Sequence, residues 1–100
     1  MFSLNDTMQY YVYPRMTDMR KGMHTLCGLV HGEDGREIRQ GDVYVFVGGH
    51  GRMMKLIHAE DGGLVMYVKR LEAGSFRMPE CGGGEGFPAM EWRDLVVMVE

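Results

Sequence analysis

Several things are scarce in this chain of 100 residues, and each scarcity removes a class of protein. Cysteine occurs only at Cys27 and Cys81, which argues against a disulfide framework and for a reduced, cytoplasmic setting. No apolar run approaches the ~20 residues a helix needs to cross a bilayer, so no membrane partner is expected. The opening Met1-Phe2-Ser3-Leu4-Asn5-Asp6 has neither a basic n-region nor an apolar h-region, so no signal peptide is expected. Net positive charge is missing as well: the formal charge is −3, which argues against a whole-surface nucleic-acid binder. The glycine-rich stretch from Pro79 to Pro88 is not followed by Gly-Lys-Ser/Thr, so it is no phosphate-binding P-loop. Ser3 and Ser75 carry no elbow motif, no nucleophile–base pair is readable, and there is no internal repeat.

What is present is an ordinary globular composition, 45% hydrophobic and 25% charged, in a length that suits one domain. Three strand-length apolar runs dominate the middle: Asp42-Val43-Tyr44-Val45-Phe46-Val47, Arg52-Met53-Met54-Lys55-Leu56-Ile57-His58 and Leu64-Val65-Met66-Tyr67-Val68-Lys69-Arg70-Leu71. Gly48-Gly49-His50-Gly51 and Glu60-Asp61-Gly62-Gly63 separate them, which reads as an antiparallel meander. Turns at those loops put Tyr44, Phe46, Met53, Lys55, Ile57, Met66, Val68 and Arg70 on one face. Val43, Val45, Val47, Arg52, Met54, Leu56, His58, Val65, Tyr67 and Lys69 fall on the other. The second face is richer in aliphatics and is expected to meet the helix.

That helix is expected from the Thr17-Asp18 cap to about Val30, with Met19, Met23, Leu26, Cys27 and Val30 as its buried stripe and Gly32 as its C-cap. Gly22 and Gly28 weaken it by about 1 kcal/mol each relative to Ala, unless they admit a close strand. Ahead of it, Gln9-Tyr10-Tyr11-Val12-Tyr13 is a strand candidate ended by Pro14. The expected fold is α+β: an antiparallel β-meander with one helix on a face and a C-terminal helix. Residues 1–79 form the core, 80–88 a glycine-rich loop or linker, and 89–100 the terminal helix. In that tail Trp92, Leu95, Val96 and Val99 lie at helical spacing, although Leu95-Val96-Val97-Met98-Val99 also has strand composition.

Two clusters of cations carry a possible chemistry. Arg20 and Lys21 would sit in the first helical turn, either as an anion site with the helix N–H groups or as a solvated end neutralised by Asp18. Lys69 and Arg70 end the third strand beside Tyr67, with Lys55 on its neighbour. Interleaved with Tyr44 and Tyr67, they would suit nucleic-acid backbone contact and base stacking, or else snorkel around an aromatic core. The nucleic-acid-binding candidates are Arg20, Lys21, Arg52, Lys55, Lys69 and Arg70. His24, Cys27 and His31 have helical ligand spacing but no Cys-x-x-Cys partner. Asp18, Asp42 and Asp61 occupy cap and turn positions. No catalytic residue, metal or cofactor is expected.

Four stretches together resemble a known family. They are Thr17-Asp18-Met19-Arg20-Lys21-Gly22, Asp42-Val43-Tyr44-Val45-Phe46-Val47, Lys55-Leu56-Ile57-His58, and the run from Gly63 through Val68-Lys69-Arg70-Leu71-Glu72-Ala73-Gly74-Ser75 to Phe76. Over roughly residues 8–79 the chain resembles the small accessory protein of insertion sequence 66 transposons, the second open reading frame product, called transposition protein B. It is not the RNA-guided nuclease that shares that label. The resemblance implies a role in moving a bacterial element beside a separate, larger transposase that holds the catalytic carboxylates. It implies the transposase and other element-encoded proteins as partners. Through the local basic patch, DNA would be a further partner; the alternative is a module that binds the transposase without touching DNA. Relatives often carry a basic cluster where this chain has Gly48-Gly49-His50-Gly51-Arg52, and an aromatic where it has Ala59.

Overall fold

The computed structural model describes residues 4–35, 37–76 and 89–90. Strands β1 (Gln9–Val12), β2 (Asp42–Gly48), β3 (Met53–Glu60), β4 (Gly63–Arg70) and β5 (Ala89–Met90) form a single sheet in the order β4-β3-β2-β1-β5. One helix, α1 (Met23–Asp34), connects β1 to β2. The fold is α+β.

β2, β3 and β4 are the antiparallel meander, in the register the turns imply: Val45 opposite Leu56, and Leu56 opposite Tyr67. The β3–β4 turn is two residues, Asp61 and Gly62, both at positive φ, as a type I′ hairpin requires. The partition of side chains between the two faces follows as the alternation predicts. The meander does not account for the whole sheet, however. β1 returns parallel to β2, with Tyr10 opposite Val43 and Val12 opposite Val45, so the sheet is mixed and β1-α1-β2 is a crossover unit.

The helix lies on the face opposite to the one expected. Leu26 and Val30, both fully buried, pack on Tyr44, Phe46 and Ile57, joined by Tyr13. These large side chains, with Tyr11 stacked on Tyr44 at 5.0 Å between ring centroids, make the broad surface a helix can seat against. The aliphatic face of Val43, Val45, Val47, Met54 and Leu56 is buried instead with Leu4, Tyr10, Val12 and Phe76. Val45 and Leu56 are core residues as expected, whereas Val65 near the sheet edge and Met23 are only half-buried.

The helix also begins later and ends later than its sequence suggests. Residues 17–22 are not helical. Thr17 continues beside β2, donating its N–H to the Val47 carbonyl at 2.8 Å, and Asp18 folds the chain back by accepting the Arg20 N–H at 2.9 Å. An aspartate caps a turn there, not a helix. α1 starts after Gly22, which offers no side-chain cap, and ends on Gly35 at φ 69, whose N–H donates to the His31 carbonyl. Gly22, Gly28 and Gly32 admit no close strand. The glycine that does is Gly48, where a Cβ would overlap the Thr17 carbonyl oxygen and crowd the Met19 side chain. Ala89 and Met90 pair with Tyr11 and Tyr10 as β5. The expected glycine-rich loop at 80–88 and the body of the expected terminal helix, 91–100, lie outside the described residues.

Candidate nucleic-acid interface

The parallel return of β1 gathers three chain segments at one end of the sheet. They are the exit of β1 from Tyr13 to Lys21, the β2–β3 hairpin, and the exit of β4. Thr17 bridges to Gly48, Leu71 donates its N–H to the Arg52 carbonyl at 2.8 Å, and Phe76 donates its N–H to the Gly51 carbonyl at 2.6 Å. Arg15, Arg20, Lys21, Arg52, Lys55, Lys69 and Arg70 all lie on these segments, seven of the eleven lysines and arginines in the chain. Among the described residues, Asp18 and Glu72 are the carboxylates on these segments. Asp6, Glu37, Asp42, Glu60 and Asp61 sit at the opposite end, with Arg39. Among the described residues, cations therefore gather at one end of the sheet and carboxylates at the other, a segregation that the total charge conceals.

The six sequence candidates fare differently within this end. Arg52, Lys69 and Arg70 are exposed around the hairpin and the end of β4, with Arg70 opposite Met53 and its Nη2 3.4 Å from the Met53 Sδ. Lys69 and Arg70 point to opposite faces and so straddle the sheet edge. Arg20 is exposed but engaged: its Nη2 meets Asp18 Oδ2 at 2.7 Å and its Nε donates to Oδ1 at 3.0 Å. That guanidinium holds the Asp18 carboxyl well below the usual carboxylate range and is itself pushed up. Of the two readings of this pair, the anion site loses its helix, because Arg20 and Lys21 precede α1, and the solvated end neutralised by Asp18 is the one the Arg20–Asp18 contact fits. Lys55 is a correction of a different kind. It is 7% exposed, and its Nζ donates to the Lys21 carbonyl at 2.8 Å, which ties the 17–22 segment to the sheet.

Aromatic stacking on bases loses its support in the same way. Tyr44 is fully buried under the helix, and Tyr67 is half-buried with its ring stacked on His58 at 5.6 Å. What the end offers is cation chemistry for phosphate. Sequence reasoning missed Arg15, whose guanidinium lies 4.8 Å over the Tyr13 ring and donates to its hydroxyl at 2.8 Å. The Tyr13-Pro14-Arg15 succession was visible, but its position beside the hairpin depends on the parallel return of β1.

The other candidate chemistries stay apart. His24, Cys27 and His31 share α1, yet among the described residues no three His, Cys, Asp or Glu side chains gather as a metal site would require. Cys27 lines an open cavity of about 320 Å³ at the acidic end, with Glu37, Ile38, Gln40, Ala59, Gly62, Gly63 and Leu64. Burial, and then the Glu37 charge, push its thiol up, away from the thiolate that nucleophilic chemistry needs. His58 is the one buried histidine, its Nε2 3.4 Å from Glu60 Oε2. Among the described residues, no helix is long and apolar enough to cross a membrane.

No curated protein and no solved structure matches the chain. A family model does, and it covers residues 8–100, well beyond the stretches that carry the resemblance in sequence. Its description is IS66 Orf2 like protein, and on a match of that extent this chain belongs to that family, the accessory proteins of IS66-type transposable elements.

Proposed function

We propose that this protein assists the assembly of transposase and DNA during transposition of an IS66-type element, without catalysing a step itself. The supporting observation is the segregation of charge along the sheet: Arg15, Arg52, Lys69 and Arg70, with Lys21, crowd one end of a protein whose net charge is −3. Such an end attracts the phosphate backbone, while the acidic remainder limits spread over the duplex. Contacts of this kind orient a protein on DNA and read little sequence. Affinity alone is expected in the non-specific range of about 10⁻⁴ to 10⁻⁶ M at physiological salt, so useful occupancy depends on simultaneous contact with the transposase. The aspartates bear on catalysis too. Asp18 is consumed by Arg20, and Asp42 receives the Arg39 N–H in a turn, so neither is arranged as a paired metal-binding carboxylate.

The test is binding of the full chain to the element's end DNA by fluorescence anisotropy, alone and with the transposase. Arg52→Ala/Arg70→Ala should weaken binding on every sequence, and Glu37→Gln at the other end should leave it unchanged or slightly tighter. Retained transposase binding together with no DNA binding at low salt would establish the alternative, a protein-interaction module. A Mg²⁺- or Mn²⁺-dependent nicking activity would overturn the non-catalytic role.

A further inference from the structure

Strand β4 forms the outer edge of the sheet at one side. β4 is eight residues long, and among the described residues its neighbour is β3 alone. Leu64 is 40% exposed and Val68 52% exposed, and both share a face with half-buried Met66. Edge strands of this length are normally blunted by charge, proline or a bulge. Here the sequence from Leu64 to Val68 contains none of these.

The hydrogen-bond phase of the strand decides what the edge can accept. In a two-residue hairpin the flanking residues, Glu60 and Gly63, form a hydrogen-bonded pair. Alternation along the ladder makes His58–Val65, Leu56–Tyr67 and Met54–Lys69 the next such pairs. The Leu71 N–H to Arg52 carbonyl bond falls in the same phase. The N–H and C=O groups of Leu64, Met66 and Val68 therefore point away from β3, and these three are the residues with exposed or half-exposed apolar side chains.

We infer that β4 pairs antiparallel with β4 of a second copy of this chain, about a two-fold axis at Met66, to give a continuous sheet of ten strands. That register sets Met66 opposite itself and Leu64 opposite Val68, so the exposed apolar residues cover one another. It also uses the outward backbone groups of all three as hydrogen-bonded pairs. The charge polarity fits the same arrangement. Arg70 of one copy comes opposite Gly62 of the other, beside Asp61, so each cationic end adjoins an acidic turn. A slip of two residues either sets Arg70 opposite Leu64 or sets Val68 opposite Gly62, and loses the match both times. The pairing is isologous, as two-fold dimers require, and it places two cationic ends at opposite sides of one assembly.

Sedimentation of the full chain over a range of concentrations, with disulfide trapping, tests this. The mass should move from 11.4 kDa toward twice that value as concentration rises, and the dimer should loosen with salt. Val68→Lys should keep the wild-type circular dichroism and remain monomeric. In a Cys27→Ala/Cys81→Ala background, Met66→Cys should form a linked dimer on mild oxidation, because facing Cα atoms in such a pair lie ~5.5 Å apart. Leu64→Cys and Val68→Cys should not link alone, since each lies about 13 Å from its own copy at ~3.3 Å per residue, but should link when mixed. A wild-type chain that stays monomeric at every concentration overturns the inference. So does a dimer in which Met66→Cys links no faster than Leu64→Cys.

Discussion

Exchanging two glycines for alanine should have opposite effects, and the contrast tests the crossover that organises the sheet. At Gly48 a Cβ meets the Thr17 carbonyl oxygen, a backbone atom, and the Met19 side chain. Relief requires the Thr17 segment to lift away, which breaks the 2.8 Å bond from its N–H to the Val47 carbonyl. A lost hydrogen bond costs about 0.5–1.5 kcal/mol, and forced overpacking costs about 1–3 kcal/mol. Gly48→Ala should therefore destabilise by about 2–4 kcal/mol. At about 4–8 °C per kcal/mol for a domain of this size, Tm should fall by at least about 8 °C. Gly28 lies inside α1 with open space around the position of a Cβ. Gly28→Ala should stabilise by up to about 1 kcal/mol through helix propensity and a less free unfolded chain. Urea unfolding followed by circular dichroism measures both, provided the m-value is unchanged. A Gly48→Ala protein as stable as wild type would refute the crossing of Thr17 over Gly48, and with it the way the cationic segments are brought together.

Leu56→Ala should cost about 2–5 kcal/mol, because Leu56 is 1% exposed at the centre of the aliphatic face; Met16→Ala, at a residue 57% exposed, should stay within about 0.5 kcal/mol in the same unfolding assay. Tyr10 gives a prediction in alkali. Burial pushes its hydroxyl up to about 12 from 10.0, and the nearby Asp6 charge acts in the same direction. A raised acid is neutral in the folded state, so its stabilisation is complete below pH 10 and is lost as pH rises from 10 through 12. Tyr10→Phe should remove the part of the alkaline destabilisation that belongs to this group, and a Tyr10→Phe protein with the same alkaline slope as wild type would contradict the assignment. Lys55→Ala should destabilise the protein and increase proteolysis within residues 17–22, whose Lys21 carbonyl loses its donor; unchanged cleavage there would show that Lys55 does not hold the segment.

The meander was legible because its determinants are local. Gly-containing turns fix the register of β2, β3 and β4, and alternation then assigns every side chain to a face. Which face meets the helix was not legible. Counting aliphatics favoured Val43, Val45 and Leu56, but the decision rests on Tyr11 and Tyr13, which arrive from β1 and widen the Tyr44–Phe46 surface. The helix start was misread for a related reason. Thr17-Asp18 has the composition of an N-cap, and only the long-range pairing of Thr17 with β2 makes Asp18 a turn residue instead. The candidate site inherits both points. Arg52, Lys69 and Arg70 belong to the meander, so their placement at one end of it was legible; the placement of Arg15 depends on the crossover and was not, and Lys55 is committed to a backbone carbonyl, which its charge alone does not reveal.

The salt dependence of DNA binding tests the account most directly. On the proposed function the cationic end of the sheet contacts phosphate, and each such contact contributes about 0.9 to the slope of log K against log salt. Wild type should show a steep negative slope that is equal on the element's end and on unrelated DNA. Arg52→Ala/Arg70→Ala should flatten it by about 1.8, while Glu37→Gln leaves it unchanged. A slope that the double substitution does not alter, or binding that is insensitive to salt, would contradict it.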